Sequence, residues 1–131
     1  MGTLRLALCQ LDVVVGDVAN NVTRVLNALA EAEAHDADIA VFPELALSGY
    51  PPEDLLHSPA FLAENAAALR AVEAATKETI AVVGFVESDR ANVDPQLIWS
   101  VRSSSRVAYR RDMETSFVRR AIVAFVLALV G

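Results

Sequence analysis

Apolar and polar residues alternate in "LRLALCQLDV" (residues 4–13), with Leu4, Leu6 and Leu8 on one face and Arg5, Ala7 and Cys9 on the other. That period of two predicts a β-strand. "GDVANN" breaks the alternation, and either Asp17 or Asn20 can cap a helix by offering a side-chain oxygen to an unpaired backbone N–H. Val22, Val25, Leu26 and Leu29 then recur at helical spacing toward Ala34, one apolar stripe that "HDAD" ends. "IAVF" (39–42) is a short unbroken apolar run between turn signals, which suits a strand buried on both faces. A Gly- and Pro-bearing loop follows. From Pro59 or Ala60 to about Ala75 the spacing of Phe61, Leu62, Leu69 and Val72 predicts a second helix, and "TIAVVGFVE" (79–87) a third strand. Strand, helix, strand, helix, strand predicts an α/β fold with right-handed crossovers and helices packed on a sheet.

The chain has 131 residues, which fits one domain. Its net charge of −6 and the lack of a clustered Lys/Arg patch before Ser100 argue against a nucleic-acid partner. The lone cysteine cannot form an intramolecular disulfide, and the N-terminus lacks the long apolar stretch of a secretion signal, so a cytoplasmic protein is expected. The ten apolar residues at 121–130 are too few for the roughly 20 that cross a bilayer, so no membrane partner is expected. Charge divides the chain near Ala91: 5 Lys/Arg face 14 Asp/Glu up to that point, whereas 6 Arg face 3 acids beyond it.

In "VFPELALSGYPPEDLL" (41–56) the carboxylate of Glu44 stands just past the carboxyl end of the second strand. Open α/β sheets place ligands and catalytic groups there. Pro43 stiffens the segment that aims Glu44, and the apolar residues before it would partly desolvate the carboxylate, favouring a general base. Capping of the turn, or acceptance of loop N–H bonds, is the alternative for Glu44. His35 and His57 have no partner at metal-ligand spacing and read as surface or capping residues. Glu53 and Asp54 are an acidic pair in the loop, suited to a solvated tip or to a partner.

"LALCQLDVVVGDVANNV", "ADIAVFPELALSGYPPEDLL" and "AVVGFVES" together resemble the nitrilase, or carbon-nitrogen hydrolase, superfamily. The "GYPPEDLL" continuation is similar to its glutaminase branch, which supplies ammonia for NAD synthesis. The resemblance implies the N-terminal part of a nitrilase-type α-β-β-α layered sandwich. It also implies chemistry in which a Cys thiolate attacks an amide or nitrile carbon, a Glu serves as base and then acid, and a Lys steadies the oxyanion. Glu44 matches the Glu. Tyr50 looks like a side chain lining the pocket for glutamine or another small amide, with packing on the second helix as the alternative. Arg111, in "VAYRRDMETSF", falls at or near the lysine position, but nothing after it matches, and its planar fork is a poor replacement for a compact ammonium. No residue matches the nucleophile. Cys9 lies in the first strand, where a small buried residue is the ordinary occupant and a buried thiol is inert.

The expected organisation is therefore residues 1–91 as a partial carbon-nitrogen hydrolase domain and 92–131 as a divergent tail, as in a truncated or frameshifted product. No cofactor is expected in this domain; ATP and deamido-NAD would belong to a synthetase domain. As it stands the chain is expected to be inactive. The alternative is a non-catalytic interaction module that forms homo-oligomers through exposed strand edges and the apolar C-terminal run.

Overall fold

The computed structural model of the protein describes residues 2–89, 92–103 and 106–109, with side chains described through residue 86. One five-stranded sheet runs in the order β1 (Leu6–Leu8), β2 (Ile39–Val41), β3 (Ile80–Asp89), β4 (Asn92–Ser103) and β5 (Arg106–Tyr109). The first three strands are parallel, joined through helices α1 (Val18–Ala34) and α2 (Pro59–Ala75), because parallel neighbours need a crossover. The last two add antiparallel, with β4 paired along most of β3. The sheet thus continues past Ala91, the point at which the charge balance changes.

Register explains how the two faces differ. Ala7, Ala40 and Ala81 lie side by side, and Ala40 and Ala81 are buried in one cluster with Val25 and Leu29 of α1 and Phe61 and Val72 of α2. Small residues on this face let the helices come close. The opposite face carries Leu6, Ile39 and Ile80, then Leu8, Val41 and Val82, none of them in that core cluster. Leu8 is 63% exposed. The leucines of the alternating N-terminal segment therefore lie away from the helices, and Ala7 and Cys9 pack toward them. For the same reason β2 is buried on one face and only half-buried on the other, not buried on both as its unbroken apolar run suggests.

Both helices start where their caps dictate. Asp17 accepts the Asn20 N–H, closing the first turn of α1, so Asp17 and not Asn20 is the cap. Ser58 does the same for α2 through the Phe61 N–H, with Pro59 in the first turn where its missing N–H costs nothing. The buried stripe of α1 is Val18, Asn21, Val25, Leu29 and Ala32; Val25 and Leu29 of the expected stripe lie in it, whereas Val22 and Leu26 lie at its edge, half-buried. A polar Asn at position 21 disguises that stripe in the sequence. Among the described residues no helix is long and apolar enough to cross a membrane.

Candidate active site

The chain leaves β2 at Val41, continues the ladder one step through the Phe42 N–H to Val82 O bond at 3.1 Å, and turns at once. Leu45 adopts a positive φ of 49°, and the Gly49 N–H closes the turn on Leu45 O at 2.8 Å. Residues 45–49 are all buried, and Leu47 and Ser48 have no exposed surface. Glu44 and Tyr50 flank this buried turn and are both exposed, Tyr50 to 64%. The structure thus brings these two expected site residues to one loop at the carboxyl end of β2.

Two expectations about them need correcting. Glu44 is not partly buried by the apolar residues before it, because Phe42 takes the inward place and the turn at Leu45 carries the chain away immediately afterwards. Tyr50 stands out from the surface, more exposed than the alternative of a loop aromatic packed on the second helix would have it. Arg111 lies outside the described residues.

Backbone contacts hold the turn from two sides. A Cβ on Gly84 of β3 would lie 3.0 Å from Leu45 N and 3.9 Å from the Glu44 carbonyl carbon, so the missing side chain lets the loop rest on the strand. On the other side Gly49, at φ 75°, leaves no room for a side chain: its Cβ would meet Val15 Cα at 2.6 Å. The Gly16 N–H donates to Ser48 O at 2.9 Å across the same seam. Sequence reasoning missed Gly84, whose only signal is a glycine inside an otherwise apolar strand, a mark of close backbone approach.

Cys9 lies apart from this turn. It follows β1 directly, its N–H bonded to Val41 O at 2.9 Å, and it is half-buried, not fully enclosed, because β1 is an edge strand among the described residues. With Glu31, His35, Gln10 and Leu11 it lines an open groove of about 410 Å³ between β1 and α1. Burial pushes its thiol above the ordinary range, and the Glu31 carboxylate adds to the effect. A thiol so shifted is a poor nucleophile at neutral pH. His35 ends α1 with its Nδ1 2.8 Å from Glu31 O, and His57, Glu53 and Asp54 are exposed on the 3₁₀ turn Glu53–His57. No group of His, Cys, Asp and Glu able to hold a metal occurs among the described residues.

The family profile described as carbon-nitrogen hydrolase matches residues 5–104, and the chain belongs to that family. Among its relatives, the glutamine-dependent NAD(+) synthetase of Xanthomonas campestris is 51% identical over 87 residues, 66% of this chain and 16% of the relative. The enzyme of the same description from Thermotoga maritima is 41% identical over 91 residues, 68% of this chain and 16% of the relative. The chain thus spans about a sixth of the length of these relatives. In solved structures the fold recurs in a glutamine-dependent NAD(+) synthetase from Cytophaga hutchinsonii, with TM-score 0.73, 18% identity, and coverage of 87% of this chain and 20% of that one. It recurs also in an amidase from Nesterenkonia sp. AN1, with TM-score 0.68, 17% identity, and coverage of 84% and 43%. That structure is of a mutant form of the amidase, with the acetamide moiety of fluoroacetamide covalently added at the active-site cysteine. These likenesses establish the N-terminal part of the nitrilase-type layered sandwich and a carbon-nitrogen hydrolase domain like the glutaminase part of NAD synthetase.

Proposed function

We propose that this chain supplies one side of a glutamine amide-hydrolysing site, with Glu44 as the general base and Tyr50 lining the amide pocket. The observation that carries this reading is the placement of Glu44 on a rigid turn at the carboxyl end of a central parallel strand, in a chain of the carbon-nitrogen hydrolase family. In such chemistry the carboxylate takes the proton of an attacking thiol. The sulfur–carbon bond forms, the carbon–nitrogen bond breaks, and the proton leaves with ammonia; water then releases glutamate. The likeness to glutamine-dependent NAD(+) synthetases supports glutamine as the amide. ATP and deamido-NAD have no role in this domain.

The nucleophile is not supplied by these 131 residues. Cys9, the single cysteine, faces the groove beside α1, and its raised pKa works against it. Arg111, whose planar fork is a poor replacement for a compact ammonium, is not taken as a substitute for the family lysine. The chain by itself therefore turns over no glutamine. Residues 92–103 and 106–109 contribute β4 and β5 to the sheet.

Two measurements test this reading. Glutamine added to the isotope-labelled chain is expected to shift the amide resonances of residues 44–50, and an unmoved loop at saturating glutamine would sink the proposal. Ammonia release is expected to stay at the buffer rate in both the unaltered chain and Cys9→Ala; Cys9-dependent turnover would reverse the assignment. A second reading, association through β1, draws on its free edge among the described residues and on exposed Leu4 and Leu8, at 46% and 63%. Sedimentation giving a monomer at high concentration would remove it.

A further inference from the structure

Helix α1 buries one polar side chain among its apolar ones. Asn21 is 0% exposed, and its side-chain hydrogen bonds run to backbone atoms outside the helix. Its Oδ1 accepts the Val14 N–H at 2.9 Å, and its Nδ2 donates to Val14 O at 2.7 Å and to Leu47 O at 3.2 Å. Val14 belongs to the loop after β1, and Leu47 is the middle of the turn between Glu44 and Tyr50. A buried amide left unbonded would be costly, so this side chain is stable only while both loops hold their places. Its chemistry is specific as well: a carboxylate of the same shape could accept from Val14 but donate to neither carbonyl.

Glu44 needs such outside support. Glu44 is exposed, and the contacts described around it are made by the backbone it stands on. Gly84 supports that backbone from β3, and the seam from Gly16 to Ser48 and from Gly49 to Val15 joins it to the first loop. Asn21 sits at the inner end of that seam. The geometry points to Asn21 as a positioning residue, whose buried amide ties the turn carrying Glu44 and Tyr50 to the loop after β1 and so sets where the carboxylate stands. This rests on the reading of Glu44 given above.

Hydrogen exchange of the full chain, followed amide by amide, tests the tie. Asn21→Asp keeps the shape and the acceptor but loses both donors. Exchange at Gly16 and Gly49 is expected to quicken about tenfold or more, while Val14 and the amides of α2 keep their protection. Unchanged protection at Gly16 and Gly49 overturns the proposal, as does an equal loss throughout α2, which would make Asn21 an ordinary core residue. Should Asn21→Asp fail to fold, the Asn21 Nδ2 protons of the unaltered chain give the answer: slow exchange is expected, and exchange at the rate of an exposed amide overturns the tie. The glutamine-induced shifts at 44–50 are expected to vanish in Asn21→Asp, and their survival overturns the positioning role. If the unaltered chain gives no such shifts, the glutaminase reading fails, and the exchange rates still decide whether Asn21 joins the two loops.

Discussion

The turn after β2 and the groove beside β1 both present ionisable side chains, yet they are built in opposite ways. At the turn a single carboxylate stands on backbone held by Gly84, Gly49 and Asn21. In the groove Cys9, Glu31 and His35 share about 410 Å³, but Glu31 only raises the thiol's pKa, and the bonded His35 nitrogen is engaged with the end of its own helix. The richer set of reactive residues therefore has the poorer chemistry. Preorganisation of the backbone, more than the number of reactive groups nearby, distinguishes the candidate site.

Gly49→Ala should break the contrast most severely. It places a Cβ against the Val15 backbone at a φ that L residues rarely adopt, and a loss of roughly 3–5 kcal/mol is expected. Thermal melting checks this; a midpoint within a degree of the unaltered chain would mean that the two loops do not meet. Gly84→Ala should cost about 1–2 kcal/mol, because its Cβ at 3.0 Å from Leu45 N pushes on backbone and not on a flexible side chain. The resonances of Glu44 and Leu45 are expected to move more than those of α1.

At the groove the effects are smaller and depend on pH. A raised thiol pKa leaves less thiolate at a given pH, so alkylation of Cys9 by iodoacetamide at pH near 8 should be slower than that of a free cysteine. Glu31→Gln, which removes the lesser of the two causes, should quicken it modestly. The linked effect on stability has a definite sign. Between the unfolded thiol pKa and the raised folded one, the native state holds more protons than the unfolded state, so stability falls as pH rises through that window. Alkylation as fast as that of free cysteine would remove the assigned contrast. The smallest change in stability, within about 0.5 kcal/mol, is expected for exposed Glu44→Gln, which should nonetheless abolish the glutamine-induced shifts.

How much of this could be read beforehand depended on whether the cause was local. Asp17 is legible as a candidate cap because a cap needs only the residues that follow it. The strand–turn placement of Glu44 is legible because Pro43 and the apolar run precede it directly. Its exposure was not, since that depends on the inward turn of Phe42 and on the path set by Leu45. Asn21 reads as an ordinary polar helix residue until Val14 and Leu47, seven and 26 positions away, meet its amide. The outward placement of Leu4 and Leu8 was hidden for a similar reason: alternation defines two faces, and only the packing of α1 and α2 decides which one they cover.

The sheet's strand order has a consequence for how the protein is made. Its strands lie side by side in the order in which they are translated, so each finds its neighbour already synthesised. Among the described strands, none has to be inserted between two earlier ones. With the chain leaving the ribosome at about 5–20 residues per second, the sheet can grow by addition at one margin, and the direction of translation serves as the order of assembly.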